Sequence, residues 1–182
     1  MKLFFLFFII FVINKSVYSD TIGKVTGYQL PRFVSLKTNE SNLRVGPSLN
    51  YPIKIRYLVS NIPIEIIQEY KDWRKVKDYD GNEGWMHKRL LSGKRFAIIL
   101  PPYNASVQVY LKPEGTLLGK IGKRNIVELK KCLPQWCYIL FNKNKGWVTK
   151  NNLWGVYKNE KYNIPFYQPL INYVWKINFK YF

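Results

Sequence analysis

The chain carries nearly the same instructions twice. Leu43-Arg44-Val45-Gly46-Pro47 is answered by Val109-Tyr110-Leu111-Lys112-Pro113, and Ile64-Glu65-Ile66-Ile67 by Ile126-Val127-Glu128-Leu129. Trp73-Arg74-Lys75-Val76 returns as Trp136-Cys137-Tyr138-Ile139, and Gly84-Trp85-Met86-His87-Lys88 as Gly146-Trp147-Val148-Thr149-Lys150, with Leu90 and Leu153 shortly after. A repeat of roughly sixty residues is about the smallest unit that buries a core of its own. The chain therefore reads as two copies of one small domain, residues 33–92 and 96–157, with a short junction at Ser92-Gly93-Lys94-Arg95 that keeps the copies in contact.

Within each copy the pattern is β. Short alternating or β-branched runs are closed by turn residues, and no window after residue 20 holds a helical period. Ile53 to Val59, Ile64 to Tyr70, Trp73 to Lys77 and Glu83 to His87 are the clearest strands of the first half. Asp80-Gly81 between two of them predicts a hairpin with positive φ at both central positions. Closing each sheet on itself removes exposed edges, so the expectation is all-β, two tandem small barrels. The predicted inward residues are Leu43, Val45, Ile55, Ile66, Val76 and Met86 in the first copy, and Val109, Leu111, Val127, Ile139 and Val148 in the second. Gly84 and Gly146, each before a Trp, predict a bulge or a close backbone approach.

Before the repeats, Met1-Lys2, an unbroken apolar run from Leu3 to Ile13, and the small-residue approach to Ser19 have the order of a secretory signal peptide, residues 1–19, cut between Ser19 and Asp20. The apolar run is well short of the ~20 residues of a spanning helix. Its removal takes away two of the 29 basic residues and none of the 11 acidic ones. The chain is then exported, to a periplasm or cell envelope, with a strong positive field. Outside the cytoplasm that field selects phospholipid headgroups, lipopolysaccharide phosphates or acidic wall groups for peripheral contact, and demotes nucleic acid. AT-rich codons supply the same lysines, so charge alone names no partner.

An oxidising compartment makes a disulfide the leading reading of Cys132 and Cys137, across the reversal at Pro134; free thiols or a redox couple are the alternatives, although the spacing is not CxxC. With two Cys and one His in the chain, neither a four-cysteine zinc site nor one of two cysteines and two histidines can be assembled, and no metal or cofactor is expected. No paired-carboxylate, Ser/His/Asp or metal-ligand spacing appears, so no catalytic residue is assigned. His87 with a cysteine would need a free thiolate. Asp78 and Asp80 flank a turn, where capping of the backbone is their expected role.

Asn42-Leu43-Arg44-Val45-Gly46-Pro47-Ser48, Asp72-Trp73-Arg74-Lys75-Val76, Asp80-Gly81-Asn82-Glu83-Gly84-Trp85 and Leu153-Trp154-Gly155-Val156-Tyr157 resemble the bacterial SH3-like family, above all its exported tandem form in alphaproteobacteria. The resemblance spans roughly residues 33 to 157. It implies five- or six-stranded barrels and a binding role, commonly for cell-wall peptides or glycans. Trp73, and Trp136 in the second copy, fall where the eukaryotic SH3 pattern keeps its ligand-stacking tryptophan. His87 and Thr149 stand where that pattern has proline, and Leu90 where it has a groove tyrosine, so a PxxP groove is not implied.

Trp73 and Trp136 are accordingly the candidate ligand-binding residues, since an indole stacks on a sugar or a flat amide; packing between strands competes. Arg44, Lys75 and Lys77 are candidate partners for wall carboxylates. The expected function is a non-catalytic binding or targeting module, recognising peptidoglycan or its stem peptides. A protein-interaction scaffold with an envelope protein partner is the alternative, and a hydrolase or its accessory subunit a remote one. A monomer is expected. Residues 158–182 form a C-terminal extension. From Tyr173 it alternates, with Tyr173, Trp175, Ile177, Phe179 and Tyr181 on one side and Lys176, Asn178 and Lys180 on the other, as a strand on the second barrel or at a membrane interface would.

Overall fold

The computed structural model describes residues 21–164. The signal peptide, with its cut at Ser19 and Asp20, and the alternating stretch from Tyr173 lie outside the described residues. A two-stranded hairpin, β1 (Thr21–Ile22) and β2 (Gln29–Leu30), comes first. The first large sheet holds β3 (Arg32–Leu36), β4 (Ser41–Arg44), β5 (Ile53–Tyr57), β6 (Pro63–Tyr70), β7 (Trp73–Lys77), β8 (Glu83–His87) and β9 (Leu91–Ser92), in the order β5-β4-β8-β7-β6-β3-β9. The second holds β10 (Phe96–Ile99), β11 (Ser106–Tyr110), β12 (Leu117–Gly122), β13 (Ile126–Cys132), β14 (Trp136–Phe141), β15 (Asn144–Thr149) and β16 (Leu153–Trp154), in the order β12-β11-β15-β14-β13-β10-β16. Strand for strand the two orders are the same. The fold is all-β and tandem SH3-like, with a single turn of 3-10 helix (Lys88–Leu90, Lys150–Asn152) before the last strand of each copy.

Each sheet wraps a core of its own. Leu36, Leu43, Ile64, Ile66, Val76 and Met86 fill the first, and Ile99, Val109, Val127, Leu129, Ile139 and Val148 the second. Two of the predicted inward residues are not inward: Val45 is 54% and Leu111 61% exposed. In both copies the ladder shifts register just before, at Leu43/Arg44 and Val109/Tyr110, and the chain leaves the strand into a loop. That shift breaks the alternation on which the expectation rested. Ile55 is only partly buried.

The repeat also aligns one residue away from its apparent match. Glu65 opposes Lys77 and Glu128 opposes Leu140, so Ile64-Glu65-Ile66 corresponds to Val127-Glu128-Leu129. Ile64, Ile66, Val127 and Leu129 are all buried. A slip of one would have turned these side chains to the opposite face, and burial decides between the two registers. Likewise Leu91, paired with Leu36, is the counterpart of Leu153, paired with Ile99, rather than Leu90.

The expected Asp-Gly turn is a longer loop, in which Gly81 has φ 86° and Asp80 has no positive φ. Asp78, buried, organises it: its carboxylate accepts from the Asp80 and Asn82 amides (3.0 and 2.8 Å), from the Asn82 side chain and from the Tyr57 hydroxyl (2.8 Å). Burial first, and then the hydrogen bond to Asp78, raise the Tyr57 phenol far above its ordinary value. The two-residue turn with positive φ at both positions is in the second copy, at Asn142 (46°) and Lys143 (69°). Gly84 is a close approach: a Cβ there would lie 2.7 Å from the Arg44 carbonyl oxygen.

The copies touch through β3 and β10. Ala97 and Ile99 point into the second core, while Ile98 between them joins the first. Phe33 packs on Trp154 and Tyr157 (ring centroids 5.0 and 4.6 Å), and the Tyr157 hydroxyl donates to Glu65 at 2.8 Å. Burying Ile98 alone is worth roughly 1.5–3 kcal/mol.

Chain segments outside the repeats cover both sheets. The Glu69 carboxylate accepts from the amides of Val25 and Thr26, the Thr26 hydroxyl and Arg32, and lies 3.6 Å from Arg74. On the second copy Arg95 grips Glu160 with both amino groups, and buried Lys150 donates to the Glu160 carbonyl at 2.7 Å. Burial lowers the Lys150 pKa; the Glu160 charge partly opposes it. Tyr162 exchanges two backbone hydrogen bonds with Cys132 (2.9 and 3.1 Å).

Cys132 and Cys137 form a disulfide, paired across β13 and β14 and fully buried. The loop it closes is short, so replacing both by serine is expected to cost about 2 kcal/mol. An unchanged urea midpoint for the double variant, relative to the oxidised wild type, would contradict this.

Candidate functional site

Trp136 opens β14 within the turn that the Cys132–Cys137 disulfide closes, where the Leu133 amide donates to the Trp136 carbonyl at 2.7 Å. Its cross-strand partner is Thr149, and its ring meets Tyr110 edge-on (5.5 Å, 89°). Tyr110 in turn donates its hydroxyl to Gln108. Half-buried, the indole borders a cleft of about 530 Å3 whose other walls include Glu114, Gln135, Thr149, Asn151 and Lys158. A second recess of about 510 Å3 lies across Thr149, lined by Ser106, Gln108, Tyr110 and Asn152 among others. The indole, amides, hydroxyl and one charge of each sign (Glu114, Lys158) of the Trp136 cleft suit an uncharged or zwitterionic polar ligand more than a polyanion.

The first copy presents the same position differently. Trp73 opens β7 as Trp136 opens β14, but it is only 9% exposed, edge-on to His87 (5.4 Å, 87°). Of the two candidate tryptophans, Trp136 is partly open to solvent and Trp73 is packed in. Arg44, the counterpart of Tyr110, is committed to its own loop: the guanidinium donates to the carbonyls of Leu49 (3.0 Å) and Tyr51 (2.7 Å). Lys75 pairs with Glu83 at 3.2 Å, both partly exposed, a contact of little energetic weight. Lys77 is half-buried opposite Glu83, and by strand alternation shares a face with Trp73 and Lys75. The five candidates therefore do not converge: four belong to the first sheet and Trp136 to the second. Asn151 and Lys158 at the Trp136 cleft, and Tyr110 and Gln108 at the recess beside it, escaped notice. Their signal was divergence between the copies, with Tyr110 standing where the first has Arg44.

Residues 37–93 match the family model described as bacterial SH3 domain. This SH3 match takes in β4 to β9, including Arg44, Trp73, Lys75 and Lys77. No curated protein matches the chain. Among solved structures it is similar to NlpC2 from Trichomonas vaginalis (14% identity, 75% of this chain and 52% of that one, TM-score 0.32). It is also similar to NlpC1 from the same organism (14%, 72% and 48%, 0.31) and to an NlpC/P60 family protein from Bacillus cereus (14%, 77% and 61%, 0.31). The chain spans about half to three-fifths of the length of these proteins. Among the described residues no helix is long and apolar enough to cross a membrane, and no three His, Cys, Asp or Glu side chains are grouped to hold a metal ion.

Proposed function

We propose that the protein is an exported, non-catalytic binding module of the cell envelope, and that its second SH3-like copy holds peptidoglycan, by a stem peptide or a sugar, at the Trp136 cleft. The observation that carries this reading is the half-open indole, braced by Tyr110 and ringed by amide and hydroxyl groups. The bacterial SH3 match supports a binding role, and the excess of basic over acidic residues supports retention near anionic wall, membrane or lipopolysaccharide groups.

Sedimentation with purified sacculi tests it. Trp136→Ala is expected to weaken retention by on the order of thirtyfold, the loss of one aromatic anchor of about 2 kcal/mol. Trp73→Ala is expected to lower thermal stability and leave the folded protein bound. Retention of Trp136→Ala equal to wild type would reject the cleft.

A protein-partner reading has its own support. Val45, Leu49, Tyr51 and Ile53, all at least 40% exposed, crowd the loop that Arg44 clamps. Co-purification of an envelope protein that is lost in Leu49→Asp, with no sacculus binding by the wild type, would favour a scaffold.

A further inference from the structure

The two copies differ at the outer end of the β11–β12 hairpin. In the first copy Leu43 opposes Ile55, and the hydrogen-bonded pair of Tyr57 and Asp78 closes the core beside them. The matching registers of the second copy set Val109 against Gly119, Ile121 in place of Tyr57 and Phe141 in place of Asp78. Gly119 shares the inward face with Val109, yet a Cβ built on it meets nothing within 4 Å. Where the first copy has a side chain and a polar lock, the second has open space.

That space is a cleft of about 510 Å3 with Val109, Ile121, Ile139 and Phe141 among its walls and Leu118, 51% exposed, at its border. Lys120, Lys145 and Asn144, all exposed, also line it, and the lining contains no acidic residue. Lys145 occupies the position of Glu83, Lys120 that of Arg56 and Leu118 that of Lys54, so the second copy exchanges an acidic and a basic group at this mouth for a lysine and an apolar side chain. An apolar floor with a cationic rim favours one chemistry: a hydrocarbon tail gains by leaving water, and an anionic head gains by meeting ammonium groups.

We propose that this cleft binds the acyl chain of an anionic amphiphile, its carboxylate set among Lys120 and Lys145. The site shares no residue with the Trp136 cleft, although Lys120 also borders the recess across Thr149, and the copy bearing Ile55 lacks it. Calorimetric titration of the chain with dodecanoate, dodecyltrimethylammonium and acetate, below micelle formation, tests it. Dodecanoate is expected to bind at least about tenfold more tightly than the cationic amphiphile, and acetate not to bind, since exposed lysines alone hold a small anion weakly.

Gly119→Ile, which restores the residue of the first copy, is expected to weaken dodecanoate by about tenfold or more while sacculus retention stays as in wild type. The pair Lys120→Gln and Lys145→Gln is expected to abolish the preference between the two heads and to keep tail binding. Undiminished dodecanoate binding by a folded Gly119→Ile, equal affinity for both heads in the wild type, or tighter binding of a short peptide ending in leucine would overturn the proposal. Should circular dichroism show Gly119→Ile unfolded, the lysine pair decides, and a preserved head preference counts against it.

Discussion

Glu69→Ala is expected to destabilise the protein by about 3–5 kcal/mol, because it strips the counter-charge from guanidinium groups that remain buried. Arg74 is 5% and Glu69 1% exposed at the side chain, and Arg32 is 20% exposed. The same substitution frees the amides of Val25 and Thr26, so amide exchange in the β1–β2 hairpin is expected to speed up most. Burial by itself would raise the Glu69 carboxyl. The hydrogen bonds from Thr26 and Arg32, and then from Val25, outweigh it and hold the group at about 2, down from 4.5. A depressed folded-state value contributes stability that is complete above pH 4.5 and lost as the pH falls through 2. At neutral pH that contribution is about 3 kcal/mol. Unfolding by urea from pH 6 down to pH 2 checks both statements: wild type is expected to weaken steeply below pH 4.5, and Glu69→Gln to start weaker and change less. Parallel curves for the two proteins would sink the assignment.

Gly155→Ala is expected to cost about 3 kcal/mol or more, lowering Tm by roughly 6–12 °C in a chain of this length. The residue has φ 115°, which side-chain-bearing residues rarely adopt. A Cβ would stand 2.7 Å from the Phe96 carbonyl oxygen and 3.0 Å from both the Ala97 Cα and the Pro63 side chain. Pro63 belongs to the first copy and Phe96 to the second, so the clash falls where they meet. Relief of the crowding would separate Trp154 and Tyr157 from Phe33, and a change in tryptophan emission is expected alongside the lower Tm. A Tm within about 2 °C of wild type would mean that the approach relaxes freely.

The repeat, the strand runs and the chain positions of the turns were legible because each depends on neighbours within a few residues. Alternation reports which face is apolar, as at Leu43, Val76 and Met86, and Gly or Pro reports where the chain must turn. The errors arose where alternation breaks or where two registers fit equally well. Val45 and Leu111 follow a ladder shift, and Ile64-Glu65-Ile66-Ile67 resembles Ile126-Val127-Glu128-Leu129 in either of two alignments. Asp78 caps the backbone of its turn as expected, and only its link to Tyr57, 21 residues away, escaped. The β1–β2 hairpin escaped for the same reason: Glu69, more than forty residues on, anchors it.

For the candidate site the division is sharper. Sequence alone determined that two small β domains follow one another, that each begins its central strand with tryptophan, and that Cys132 and Cys137 lie close enough to join. Only tertiary structure decided that Trp73 is shut in while Trp136 borders a cleft, that Arg44 serves its own loop, and that Gly119 leaves the second core open. The reason is physical: strand formation and turn placement are set by local geometry, whereas the exposure of a ring or a void depends on side chains brought together from strands far apart along the chain.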